Sequence, residues 1–121
     1  GTIISPMLAE GQVHGGLATG VAQALYEEVV YDEDGNLLTS NFIDYPVLSA
    51  REVPSFETTH YETPSPNNPL GAKGIGESGT VGSTPAVQNA VIDAIRHLGV
   101  THIDMPMTPQ KVWAAITSAS G

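Results

Sequence analysis

Apolar positions along the first twenty-five residues fall on one helical face: Leu8, Leu17, Val21 and Leu25 follow Ser5-Pro6, an N-cap and first-turn pair. The spacing predicts a helix from about 6 to 27, although Gly11, Gly15, Gly16 and Gly20 lie inside it and each costs roughly 1 kcal/mol relative to alanine. Glu28–Tyr31 and Leu37–Thr39 flank the turn signal Asp34-Gly35 and predict a hairpin. Phe56–Tyr61 alternates and is rich in β-formers, so it reads as a strand, as does Val100–Asp104. Asn41 to Pro54 has no clear period, and the three prolines of Thr63–Pro69 make that stretch a loop.

Thr84-Pro85 predicts the start of a second helix, with Val87, Ala90, Val91, Ala94, Ile95 and Leu98 as its apolar stripe, Arg96 and His97 in its last turn and Gly99 just beyond. Thr108-Pro109 predicts a last helix with Val112, Trp113 and Ile116 inward. The expected fold class is therefore α+β, helices packed on a small mixed or antiparallel sheet, in one domain over residues 1–121.

Charge narrows the partners. Four Lys and Arg against thirteen Asp and Glu give a net charge of −9, which disfavours nucleic acid and anionic membrane surfaces. No apolar run approaches the length of a membrane span and no signal-peptide pattern occurs. Charged residues make up 14% of the chain, below the roughly 25% of average soluble domains, which suggests a piece that packs against more protein. The absence of cysteine removes disulfides, thiolate metal sites and a cysteine nucleophile, and is compatible with a cytoplasmic setting. His14, His60, His97 and His102 show no metal-ligand spacing, so no protein metal site is expected.

The densest chemical signal is Gly71-Ala-Lys-Gly-Ile-Gly-Glu-Ser-Gly-Thr-Val-Gly82. Glycine at this density implies left-handed backbone or backbone lying against a ligand or another chain. Gly74, Gly76 and Gly79 satisfy G-x-G-x-x-G, but a proline loop precedes them in place of a buried strand, and Asp93, at the distance of the ribose-binding acid, falls inside a helix. For Glu77 the ordinary explanation is a carboxylate in the first turn of a helix, which requires the helix to begin at residue 77 or 78. With the N-cap pair at Thr84-Pro85, a general base on a glycine-lined loop explains Glu77 better. Gln12, Thr19 and Gln23 form an uncharged polar stripe beside Gly16 on the first helix. Close helix packing through the glycines is favoured over a row of ligand donors at about two to one.

Taken together, Glu10–Gly16, Gln23–Glu28, Thr63–Pro66, Gly71–Glu77, Pro85–Val87 and Thr101–Pro106 resemble the C-terminal end of the molybdenum-binding large subunit in the xanthine oxidase and aldehyde oxidase family, most closely the aerobic carbon monoxide dehydrogenase branch. The resemblance implies that Glu77 is the glutamate beside molybdenum that takes the proton of the attacking oxygen. It implies that Gln12, Gly15, Gly16, Thr19, Lys73, Gly74 and Gly76 shape the pocket of a molybdenum-molybdopterin cofactor, in the cytosine dinucleotide form, bound only in the complete subunit. The partners it implies are the remainder of the large subunit and iron–sulfur and flavin subunits. Thr19-Gly20 stands where many members carry Gln-Gly, and Ser78 where the xanthine oxidase branch has proline. The chain is accordingly read as a C-terminal fragment or separately encoded piece of a molybdenum hydroxylase, with a non-catalytic assembly module of the same fold as the other reading.

Overall fold

The structure is a computed structural model that describes residues 1–119. Three α-helices carry it: α1 (Pro6–Leu25), α2 (Ser78–Ile95), which tightens into a 3-10 turn over Arg96–Leu98, and α3 (Pro109–Ala119). Pro6 occupies the first turn of α1, where its missing N–H costs nothing, and α1 ends as the N–H groups of Tyr26 and Glu27 both donate to the Ala22 carbonyl. Gly99 closes the α2 end at φ 92°, its N–H donating to Arg96 at 2.9 Å, as its place after the apolar stripe predicts.

The fold turns on the crossing of α1 and α2. A Cβ added at Gly16 would stand 2.8 Å from the Gly79 Cα and 2.9 Å from the Thr80 nitrogen, and one added at Gly79 would stand 2.7 Å from the Val13 carbonyl. A Cβ at Gly20 would run into the Ser83 hydroxyl. The helices thus meet backbone to backbone, and the hydroxyls of Thr80 and Ser83 donate to the Gly16 carbonyl at 3.2 and 3.4 Å. Close packing accounts for Gly16 and Gly20, as the helical spacing favoured.

A second, small core lies beyond the crossing. Val100, Ile103 and Met107 are buried among Leu25, Val91, Ile92, Ile95, Val112 and Ala115. The Met107 N–H donates to the Ala24 carbonyl at 2.7 Å and the Gln88 amide to the Ile103 carbonyl at 3.3 Å, tying the 100–107 segment to both long helices.

Three expectations are corrected. There is no sheet among the described residues, so helices packed on a sheet is wrong: the chain is 44% helical, and its β-structure is the bridge between Tyr31 and Leu37 around the Asp34-Gly35 turn. Residues 56–61 and 100–104 have strand-forming composition but pair with no other strand among the described residues, and β-propensity records suitability for a pleated surface rather than the presence of one. The second helix begins at Ser78, six residues before Thr84, and runs through Pro85. Contact with α1 holds its glycine-rich first turns helical, and Pro85 removes only one intrahelical bond. Trp113 is 70% exposed; Val112 and Ala115 supply the inward face of α3.

Candidate functional site

The glycine loop is anchored before it reaches Glu77. Gly71, at φ 65°, accepts hydrogen bonds at its carbonyl from the N–H groups of Thr2 and Ser65, both at 2.9 Å. A Cβ there would lie 2.8 Å from the Thr2 hydroxyl and 2.9 Å from the Pro64 ring, so glycine is required twice over. Asn68 clamps the same loop: its side-chain oxygen accepts from Leu70 and Ala72 N–H at 3.1 and 3.0 Å, and its amide donates to the Ala72 carbonyl at 2.9 Å. Sequence reasoning missed Asn68, although an asparagine in a proline-bounded turn is the residue type that makes such local bonds.

From this anchor the loop passes over the first half of α1. The Lys73 ammonium donates to the Thr63 hydroxyl at 3.1 Å. The Gln12 side-chain oxygen lies 4.0 Å from where a Cβ on Gly76 would sit. Gln12, Lys73, Gly74, Ser78 and Tyr61 line an open cavity of about 540 Å³. Glu77 follows as the residue capping α2, exposed, at φ −98° and ψ −7°, and its side chain makes no capping hydrogen bond. The helix start that the ordinary explanation of Glu77 required is therefore present, yet the carboxylate does not do the work of a cap. It stands free among the described residues beside a helix N-terminus, where negative charge is favoured.

Of the predicted site residues, the structure brings Gln12, Lys73 and Gly74 to one cavity and Gly76 beside Gln12, while Glu77 caps α2 and is not among the residues that line that cavity. Gly15 and Thr19 continue along the exposed side of α1, with the Thr19 hydroxyl donating to the Gly15 carbonyl at 2.9 Å. Gly16 is set apart: it is buried under α2 as a packing residue. The histidines stay separate, His14 tilted against Phe56 with ring centres 5.9 Å apart and His102 paired with Asp104 at 2.8 Å.

The donor set suits a large, polar, anionic group. Gly11, Gly15 and Gly74 have nothing within 4 Å of where a Cβ would stand, so this chain gives no packing reason for them. An open glycine in a helix sacrifices about 1 kcal/mol unless something outside approaches the backbone. Neutral amides, exposed backbone and one ammonium are the groups such a ligand meets there.

A model of the molybdopterin cofactor-binding domain matches residues 1–54. The carbon monoxide dehydrogenase large chain of Hydrogenophaga pseudoflava is 50% identical over 96% of this chain and 14% of its own length. The putative xanthine dehydrogenase molybdenum-binding subunit of Escherichia coli (strain K12) is 35% identical over 93% of this chain and 15% of its own. The crystal structure of the Cu,Mo-CO dehydrogenase superposes with a TM-score of 0.93 at 46% identity, covering 98% of this chain and 15% of that one. The chain belongs to the xanthine dehydrogenase family, among its molybdenum-binding large chains. It spans about one seventh of the length of these large chains, and these relatives are molybdenum oxidoreductases.

Proposed function

We propose that this segment supplies the general base, Glu77, and one wall of the molybdopterin pocket of a molybdenum hydroxylase large chain. The observation that carries the proposal is the free Glu77 carboxylate, exposed at the start of α2 and adjoining the glycine loop whose residues Lys73 and Gly74 share a cavity with Gln12. When bound, the molybdenum group supplies the two-electron redox centre. The chain's own residues position and move a proton. Gln12 and Lys73 donate hydrogen bonds to the cofactor's polar atoms, the bare backbone of Gly74 and Gly76 permits close approach, and Glu77 accepts the proton of the oxygen that attacks a carbon electrophile. On the family resemblance, the cofactor is the cytosine dinucleotide form, the remaining partners are the rest of the large chain with iron–sulfur and flavin subunits, the assembly is cytoplasmic, and residues 1–121 act as one unit within it.

The test is Glu77→Gln in the assembled enzyme, which keeps the shape of the side chain and removes its basicity. The expected outcome is a fall in kcat of about 10²- to 10⁴-fold with molybdenum content unchanged, measured as the reductive half-reaction at matched occupancy. Equal rates would remove Glu77 from the chemistry and leave it as a charge at a helix end.

A further inference from the structure

The four residues between the glycine-loop anchor and Glu77 have little of their own to hold them. Among the described residues, the N–H groups of Lys73, Gly74, Ile75 and Gly76 donate no hydrogen bond, and of their carbonyls only that of Ile75 accepts one, from the Ser78 N–H at 3.1 Å. Two of the four are glycines, whose backbone is the freest of any residue. Gly1 passes so near the Lys73 nitrogen that a Cβ on it would stand 2.5 Å away, yet no hydrogen bond joins the two.

A stretch with so few bonds is a bridge whose shape is set at its ends. Downstream lies α2, fixed where Gly79 meets Gly16 through backbone. Upstream lies Ala72, and there a single side chain does the fixing. Asn68 occupies both polar groups of the Ala72 backbone, its oxygen accepting from the N–H at 3.0 Å and its amide donating to the carbonyl at 2.9 Å. The same oxygen accepts from the Leu70 N–H, which keeps the asparagine itself in place. The bond from the Lys73 ammonium to Thr63 restrains the tip of that side chain, not the point where its stem leaves the backbone. Asn68 is not among the residues that line the cavity shared by Lys73, Gly74 and Gln12, so any effect it has there passes through the bridge.

We propose that Asn68 is a positioning residue for the cofactor wall: by holding both polar groups of the Ala72 backbone it sets where Lys73 starts and how the bare backbone of Gly74 and Gly76 lies toward Gln12. This rests on the reading of these residues as one wall of a molybdopterin pocket. Asn68 is exposed and its bonds span only two and four residues, so its loss frees the bridge and leaves the helix crossing intact.

The experiment is a double-mutant cycle on the assembled enzyme, read as molybdenum retained after timed incubation in mild denaturant. Asn68→Ala should speed the loss of molybdenum by about 5- to 30-fold, the worth of one or two net hydrogen bonds. Lys73→Ala should speed it as well, and in the double variant the two factors should fall well short of multiplying, because a lysine that is absent cannot be misplaced. Asn68→Asp, which keeps the accepting oxygen and loses only the amide donor, should lie between wild type and alanine. Turnover per bound molybdenum should fall far less in Asn68→Ala than in Glu77→Gln, since Glu77 caps α2, the end of the bridge that Asn68 does not hold. Should the alanine variant not assemble, the cycle is run with Asn68→Asp against Lys73→Ala and judged in the same way. Factors that multiply, retention unchanged by Asn68→Ala, an aspartate no better than alanine, or a turnover loss as large as that of Glu77→Gln each overturn the positioning role while leaving the pocket wall standing. Wild-type retention in Lys73→Ala removes the wall and the positioning role together.

Discussion

The helix crossing and the segment that follows it achieve order by opposite means. Where α1 meets α2, side chains are nearly absent: Gly16 and Gly79 touch through backbone, and Ala9, Ala22 and Ala24 fill what remains. Between Leu25 and Leu70 nothing is buried, and shape comes from side chains that bond the chain locally, Asp32, Asn41 and Ser49 each closing a turn. The crossing is complete in itself. The middle segment is complete only at the level of its turns, with its large apolar side chains turned outward. Glu77 caps α2 two residues before Gly79, so the residue proposed for chemistry adjoins the crossing.

The sharpest way to break the crossing is one methyl group. Gly79→Ala would place Cβ within 3 Å of the Val13 carbonyl and the Gly16 backbone, neither of which can swing away. Overpacking of this kind typically costs about 1–3 kcal/mol, more than alanine's helix preference returns, so the thermal midpoint should fall by several degrees. Gly15→Ala, on the same helix as Gly16 but with open space at its Cβ, should do the reverse and stabilise by up to ~1 kcal/mol. Molybdenum occupancy of the assembled enzyme should fall in that second variant if the open glycine serves cofactor approach. Calorimetry of both variants, with metal analysis of the second, separates the two kinds of glycine; the same sign of stability change in both would erase the distinction.

That distinction was only half legible in the sequence. Glycine at helical intervals announces close approach, but which glycines face a partner depends on where α2 starts, and Thr84-Pro85 is good local N-cap grammar overruled by a tertiary contact six residues upstream. The ends of α1, the Asp34-Gly35 turn and the Gly99 cap were readable because each is decided by a few adjacent residues. The sheet was not: alternation in 56–61 cannot say whether another strand lies alongside. Trp113 and Val112 are one residue apart, a rotation of about 100° on a helix, which is enough to put one outside and the other on the core. In the glycine loop, Gly71 has the left-handed backbone that the glycine density implied, while the Asn68 clamp depended on bonds spanning two and four residues that only the folded turn discloses.

The smallest expected effect is also the most selective between the two regions, and acid produces it. Asp32 has its carboxyl held below its ordinary value of 3.8, first by the Asn36 side chain and then by the Asn36 N–H. Glu52 is likewise held below 4.5 by the Ser49 hydroxyl and N–H. For carboxyls depressed in the folded chain, the stabilising contribution is complete above the ordinary values and fades as pH falls through the lower folded ones. Both groups are exposed, so the loss is local rather than a matter of global unfolding. The crossing is held by glycine contacts and by neutral bonds from Thr80 and Ser83, which do not titrate in this range. Lowering the pH from neutral through the carboxylate range should therefore broaden or shift the amide NMR signals of Asn36 and Ser49, whose N–H groups donate to these carboxylates, while those of α1 near Gly16 hold their positions. Asp32→Asn should remove the pH dependence at Asn36 alone. Equal movement of both regions would mean that the middle segment leans on the crossing and that its turns do not carry their own order.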